Sequence, residues 1–72
     1  MAILSNADVA GKVRGVAAEK RVSRAEMAEL LSVSVMAISR RINGKTPFLP
    51  EELSRLAARL NVPVATFFGE AA

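Results

Sequence analysis

Residues 23–44 read SRAEMAELLSVSVMAISRRING, and this stretch decides the architecture of the chain. Ser23, with Glu26 three residues later, has the form of a capping box, while Val22 and Met27 stand where a hydrophobic staple sets the angle at which a chain joins its helix. A second start follows at Ser34, with Val33 and Ile38 as its staple. Two helices of about eight residues are therefore predicted, joined through Leu31-Ser32-Val33-Ser34. Ala28, Val33 and Ile38 recur at steps of five residues. Ala28 is small where the second helix must approach the first, Val33 plugs the turn from inside, and Ile38 anchors the second helix on the core. A tight two-helix corner needs this set and leaves the second helix free to project outward. Ile38 and Ile42 define its inward face, which keeps Met36 out of the core.

Upstream, Ser5 or Asn6 can cap a first helix that carries Val9, Val13, Val16 and Ala17 on one face. Gly11 and Gly15 each weaken it by about 1 kcal/mol relative to Ala, so tertiary contact must hold it. Downstream, Pro50 takes a first helical position, Glu52 the third, and Phe48 with Leu53 repeats the staple, although Leu49 is a poor cap. Leu53, Leu56, Ala57 and Leu60 form one stripe that ends near Asn61. Pro63 then opens a short fifth helix over residues 64–68, and residues 69–72 are expected to fray. Phe67 and Phe68 cannot both point inward from so short a helix. The prediction is an all-α, compact five-helix domain spanning residues 1–72, with the two-helix motif at 23–43 in its centre. Lys20 and Arg21 read as complements to the dipole of the first helix, and Lys12 and Arg14 as solvated surface.

A chain of 72 residues hides only about 60% of its extended surface on folding. With no Cys and no His, neither disulfides nor zinc can supplement that core, so helix packing must supply the stability. The same absence removes the usual nucleophiles, bases and metal ligands. Ser and Thr lack a triad partner, Glu51 and Glu52 answer to the dipole of a helix's first turn, and the four glycines are isolated rather than gathered in a phosphate loop. The reading is therefore of a non-enzyme with no catalytic residue, cofactor, metal or small-molecule substrate. The longest uncharged stretches, residues 30–39 and 60–69, are ten residues each and carry polar groups, too short for a membrane span. No basic leader precedes an apolar run, so a cytoplasmic protein is expected. Charge is unevenly placed: residues 1–48 hold eight Lys/Arg against four Asp/Glu, and residues 49–72 hold two against three. A basic front two-thirds suits a polyanion-binding face.

The SRAEMAELLSVS turn region, the ISRRINGKTPF stretch and the ELSRLAARLNVPVATFF tail together resemble the lambda-repressor-like, Cro-type helix-turn-helix family, and small phage Cro-like regulators in particular. The resemblance implies a regulator of transcription that binds double-stranded operator DNA, acting as a repressor by occlusion. It implies that Arg24, in the place usually held by Gln, grips a phosphate, and that Val35, Met36, Ser39 and Arg40 face base edges. Asn43, Lys45 and Thr46, beside Gly44, match the loop whose amides and side chains touch the next phosphate. Arg41 stands where an apolar residue is common, with Ile42 filling the core one residue later, a shift that would turn Arg41 toward the phosphates too. Phe68 is a candidate dimer contact, the dimer forming on DNA. Two departures stand out. Ser32 occupies the turn position most often held by Gly, where a left-handed backbone costs about 1 kcal/mol. Val35 and Met36 can touch thymine methyls but cannot make bidentate hydrogen bonds, which puts discrimination on Ser39 and Arg40. A protein-interaction module of the same fold, antirepressor-like and using that apolar front, is the alternative.

Overall fold

The computed structural model describes residues 5–69, so Ala2, Ile3 and Leu4, and residues 70–72 of the tail expected to fray, lie outside the described residues. Four α-helices, α1 (Asn6–Glu19), α2 (Arg24–Leu31), α3 (Val35–Ile42) and α4 (Pro50–Leu60), are followed by a 3₁₀ helix (Val64–Phe68). The expected short fifth helix is thus a 3₁₀ segment. Its turn is closed by Thr66 N–H to the Pro63 carbonyl at 3.0 Å, and five residues leave little room for a ladder of i→i+4 bonds.

Three of the corners share one construction: a residue in the left-handed region, then Val, then an extended residue that opens the next helix. Arg21-Val22-Ser23 leads into α2, Ser32-Val33-Ser34 into α3, and Asn61-Val62-Pro63 into the 3₁₀ helix, with φ of 59°, 57° and 58° at the first positions. Each closes its helix with the pair of hydrogen bonds of a Schellman motif. Val22, Val33 and Val62 donate to the carbonyls of Ala17, Ala28 and Ala57 at 2.9, 2.9 and 3.0 Å, and Arg21, Ser32 and Asn61 donate to Ala18, Glu29 and Ala58 at 3.2, 3.2 and 3.3 Å. The valine side chain enters or abuts the core, and where Ser follows, its hydroxyl accepts the amide three residues on: Glu26 at 3.1 Å and Ala37 at 3.0 Å. One valine ends a helix and starts its successor. The capping box predicted at Ser23 is half formed, because the Glu26 carboxylate leaves the cap and pairs with Arg59 on α4 instead. Ser5 caps α1 with the full reciprocal box, its amide donating to Asp8 Oδ2 at 3.0 Å.

The elements close on one apolar core. Val13 and Ala17 of α1, Met27 and Leu31 of α2, Ile38 and Ile42 of α3, Leu53, Leu56 and Leu60 of α4, and Phe67 are all buried in it. Phe67 is completely buried whereas Phe68 is 43% exposed, as a helix one turn long dictates. Ala28 is buried under α3 and Val33 is half-buried in the turn, so α3 leaves the corner with one side against the core and the other facing out.

Candidate nucleic-acid interface

The outer side of α3 follows from its inner one. Ile38 and Ile42, one turn apart, are buried to 0% and 1% exposure, which carries Met36 and Arg40 to the opposite side of an eight-residue helix, while Val35 shares the isoleucine face but, as the first residue of the helix, stands clear of the core. Val35 is 50% exposed, Met36 70%, and Arg40 is also exposed. Ser39 is half-buried because Arg24, at the first position of α2, lies over it: Arg24 Nη1 donates to Ser39 Oγ at 3.1 Å. Arg24, Ser39 and the α3 front therefore form one continuous face at the junction of the two helices.

At the other end of α3 the chain passes through Asn43, Gly44, Lys45 and Thr46. Gly44 takes φ +76°, and a Cβ there would lie 2.9 Å from the Ala7 Cα, so this position needs glycine for its backbone and for its contact with α1. The amides of this loop, expected to face a phosphate, are already spent. Asn43 N–H donates to Ser39 O, Gly44 N–H to Arg41 O, and both Lys45 and Thr46 N–H to Arg40 O, at 3.0, 3.1, 2.9 and 3.3 Å. Any contact with a polyanion from this loop therefore belongs to the side chains of Asn43 and Lys45, which are exposed, and Thr46, which is half-buried.

Arg41 does not follow its neighbour. Its Nε donates to Glu52 Oε1 at 3.0 Å and its Nη2 to Glu52 Oε2 at 3.2 Å, while Nη1 donates to the Ala37 carbonyl at 3.2 Å. Both side chains are nearly buried, at 15% and 9% exposure. The expected turn of Arg41 toward phosphates gives way to a bidentate ion pair inside the protein, because its position on α3 directs it at the first turn of α4. Glu52 is the residue that sequence reading missed. It accepts a third hydrogen bond, from Leu49 N–H at 2.9 Å, and so supplies the capping interaction that the Leu49 side chain cannot. Its place at the third helical position carried half the signal; its pairing with Arg41 had none. Arg14, expected to be plain solvated surface, is exposed but donates through Nη1 to the Ile42 carbonyl at 3.0 Å, tying the end of α3 to α1.

Among the described residues no group of His, Cys, Asp and Glu is placed to hold a metal, and no helix is long and apolar enough to cross a membrane. What the fold presents is a short helix held from behind by the core and from both ends by tight connections, its outer row mixing apolar and basic side chains. That is the architecture of a helix-turn-helix protein. The helix-turn-helix family model matches residues 16–67, and the chain belongs to this family, the lambda-repressor/Cro-type DNA-binding regulators. No curated protein matches the chain significantly.

Proposed function

We propose that the chain is a sequence-specific repressor of the phage Cro-like kind, which occludes its operator by laying α3 in the major groove. The observation that carries this reading is the division of α3 into a buried row, Ile38 and Ile42, and an outward side with Met36 and Arg40, the exposed Val35 at its tip and Arg24 and Ser39 beside it. Helix-turn-helix proteins present the N-terminal half of the second helix to base edges. Here Val35 and Met36 pack on thymine methyls, and Arg40 and Ser39 supply the hydrogen bonds. Arg24, Asn43, Lys45 and Thr46 contact phosphates through their side chains and set the register. Phe68, 43% exposed, supplies an apolar contact for a second copy assembled on a two-fold site.

Selection of duplexes from a randomised pool, followed by gel shift of the enriched sequence, tests the reading. A site rich in thymine opposite the helix tip, with one guanine read by Arg40, is expected. Arg40→Ala should then cost about 1–3 kcal/mol and relax preference at one base pair. With Arg24 and Lys45 on phosphates, log K should fall with log salt at a slope of about −2 per monomer. No enrichment, beside capture of a protein partner that Met36→Lys abolishes, would favour the antirepressor-like alternative, for which the 70% exposure of Met36 is the supporting observation.

A further inference from the structure

The Arg41–Glu52 pair sits where the protein could least use an idle ion pair. It joins the last turn of α3 to the first turn of α4, across the base of the loop of residues 43–49. Everything expected to meet phosphates after α3 hangs on that loop. Four hydrogen bonds converge: two from the Arg41 guanidinium to Glu52, one from Arg41 to its own helix at Ala37, and one from the Leu49 amide to Glu52. Glu52 thus grips both the helix that precedes the loop and the residue that ends it. Both side chains are nearly buried, and their charges cancel, so the pair adds nothing to the basic footprint.

We propose that Arg41 and Glu52 are positioning residues for DNA binding: the pair sets the distance and angle between the base-facing side of α3 and the phosphate-facing side chains of Asn43, Lys45 and Thr46. This rests on the DNA-binding reading of α3 given above. Preorganising two sets of contacts at a fixed separation removes the ordering cost that a loose loop would meet on binding. The pair holds that separation without touching the duplex.

The sharp test is Glu52→Gln, because the two possible roles of Arg41 give it opposite signs. Gln keeps the size of Glu and an acceptor for Leu49, but it loses the charge and one acceptor lobe facing the guanidinium. If Arg41 were a reserve phosphate contact, releasing it and deleting a negative charge would tighten binding and steepen the salt slope by about 0.9. A positioning pair predicts binding at least about tenfold weaker at unchanged salt slope. The measurement uses the full chain and its selected duplex of about 20 base pairs, long enough for two half-sites a helical turn apart, at a temperature where circular dichroism shows the variant fully folded. Arg41→Gln should weaken binding with the same unchanged slope, and the double variant should be no worse than the poorer single one, since both remove the same link. Tighter binding by Glu52→Gln, or affinity indistinguishable from the parent, overturns the proposal. A second readout needs no DNA: amide hydrogen exchange at Lys45 and Thr46 should speed up in Glu52→Gln more than exchange in the α1–α2 corner. Unchanged protection there overturns the proposal even if the chain binds no duplex, whereas absent binding with lost protection fells only the DNA reading.

Discussion

At its N-terminal end α3 is attached through three residues, Ser32-Val33-Ser34; at its C-terminal end it is attached through residues 43–49. The first connection is closed by groups near one another in sequence: a left-handed Ser32, a Schellman pair, a valine plug and a serine cap. The second borrows from three other places in the chain. Gly44 leans on Ala7, Arg14 reaches the Ile42 carbonyl, and Glu52 holds Arg41 and Leu49. The short corner is therefore an autonomous piece of geometry, while the longer connection adds to a local turn of its own, closed by Gly44 and Lys45 N–H on Arg41 and Arg40, a set of ties that form only once α1 and α4 are in place. Breaking single groups should show the difference in size and in reach.

The largest loss is expected in the borrowed connection. Glu52→Ala leaves a nearly buried guanidinium without its counter-charge and an amide without its acceptor, at a cost of about 3 kcal/mol in urea unfolding. Gly44→Ala comes next. The new Cβ meets backbone at 2.9 Å in a left-handed conformation, for a loss of about 2 kcal/mol and a chemical-shift change that extends to Ala7. In the autonomous corner, Ser34→Ala removes one cap and should cost about 1 kcal/mol, with shifts confined to the start of α3. Smallest and of opposite sign, Ser32→Gly should stabilise by about 0.5 kcal/mol, since relief of left-handed strain outweighs the added freedom of the unfolded chain. Equal effects in both connections, or a destabilising Ser32→Gly, would remove the distinction.

The same division explains how much could be read in advance. Helix boundaries around 23–43 and the staples at Val22, Val33 and Phe48 follow from interactions within a few residues, and pattern alone exposes them; the left-handed Ser32 followed from the family resemblance, at a turn position usually held by Gly. The outer side of α3 was legible for the same reason, because the spacing of Ile38 and Ile42 leaves Met36 and Arg40 no other side; Val35 shares the isoleucine face, and only its place at the start of the helix exposes it. The fate of charged side chains was not. Arg41 meets Glu52 from eleven residues away, Arg14 meets Ile42 from 28, and Arg59 meets Glu26 from 33, on helices whose crossing no local signal specifies. Arg40 and Arg41 look alike in the chain; one turn-angle of helix separates a solvent-facing cation from a neutralised one. The Glu26 carboxylate misled in the same way: its spacing from Ser23 promised a cap, and a cation on α4 outcompeted the backbone for it.

The shared valines of the corners also set a rotational phase. Because one residue both finishes a helix and begins the next, no slack exists in which an extra residue could be lost. An insertion between Leu31 and Ser34 would have to undo the Schellman pair or the Ser34 cap, and with them the orientation that sends Ile38 and Ile42 into the core and Arg40 to solvent. Length variation in this scaffold is accordingly tolerated best beyond Lys45, where an added residue lengthens a span without rotating α3.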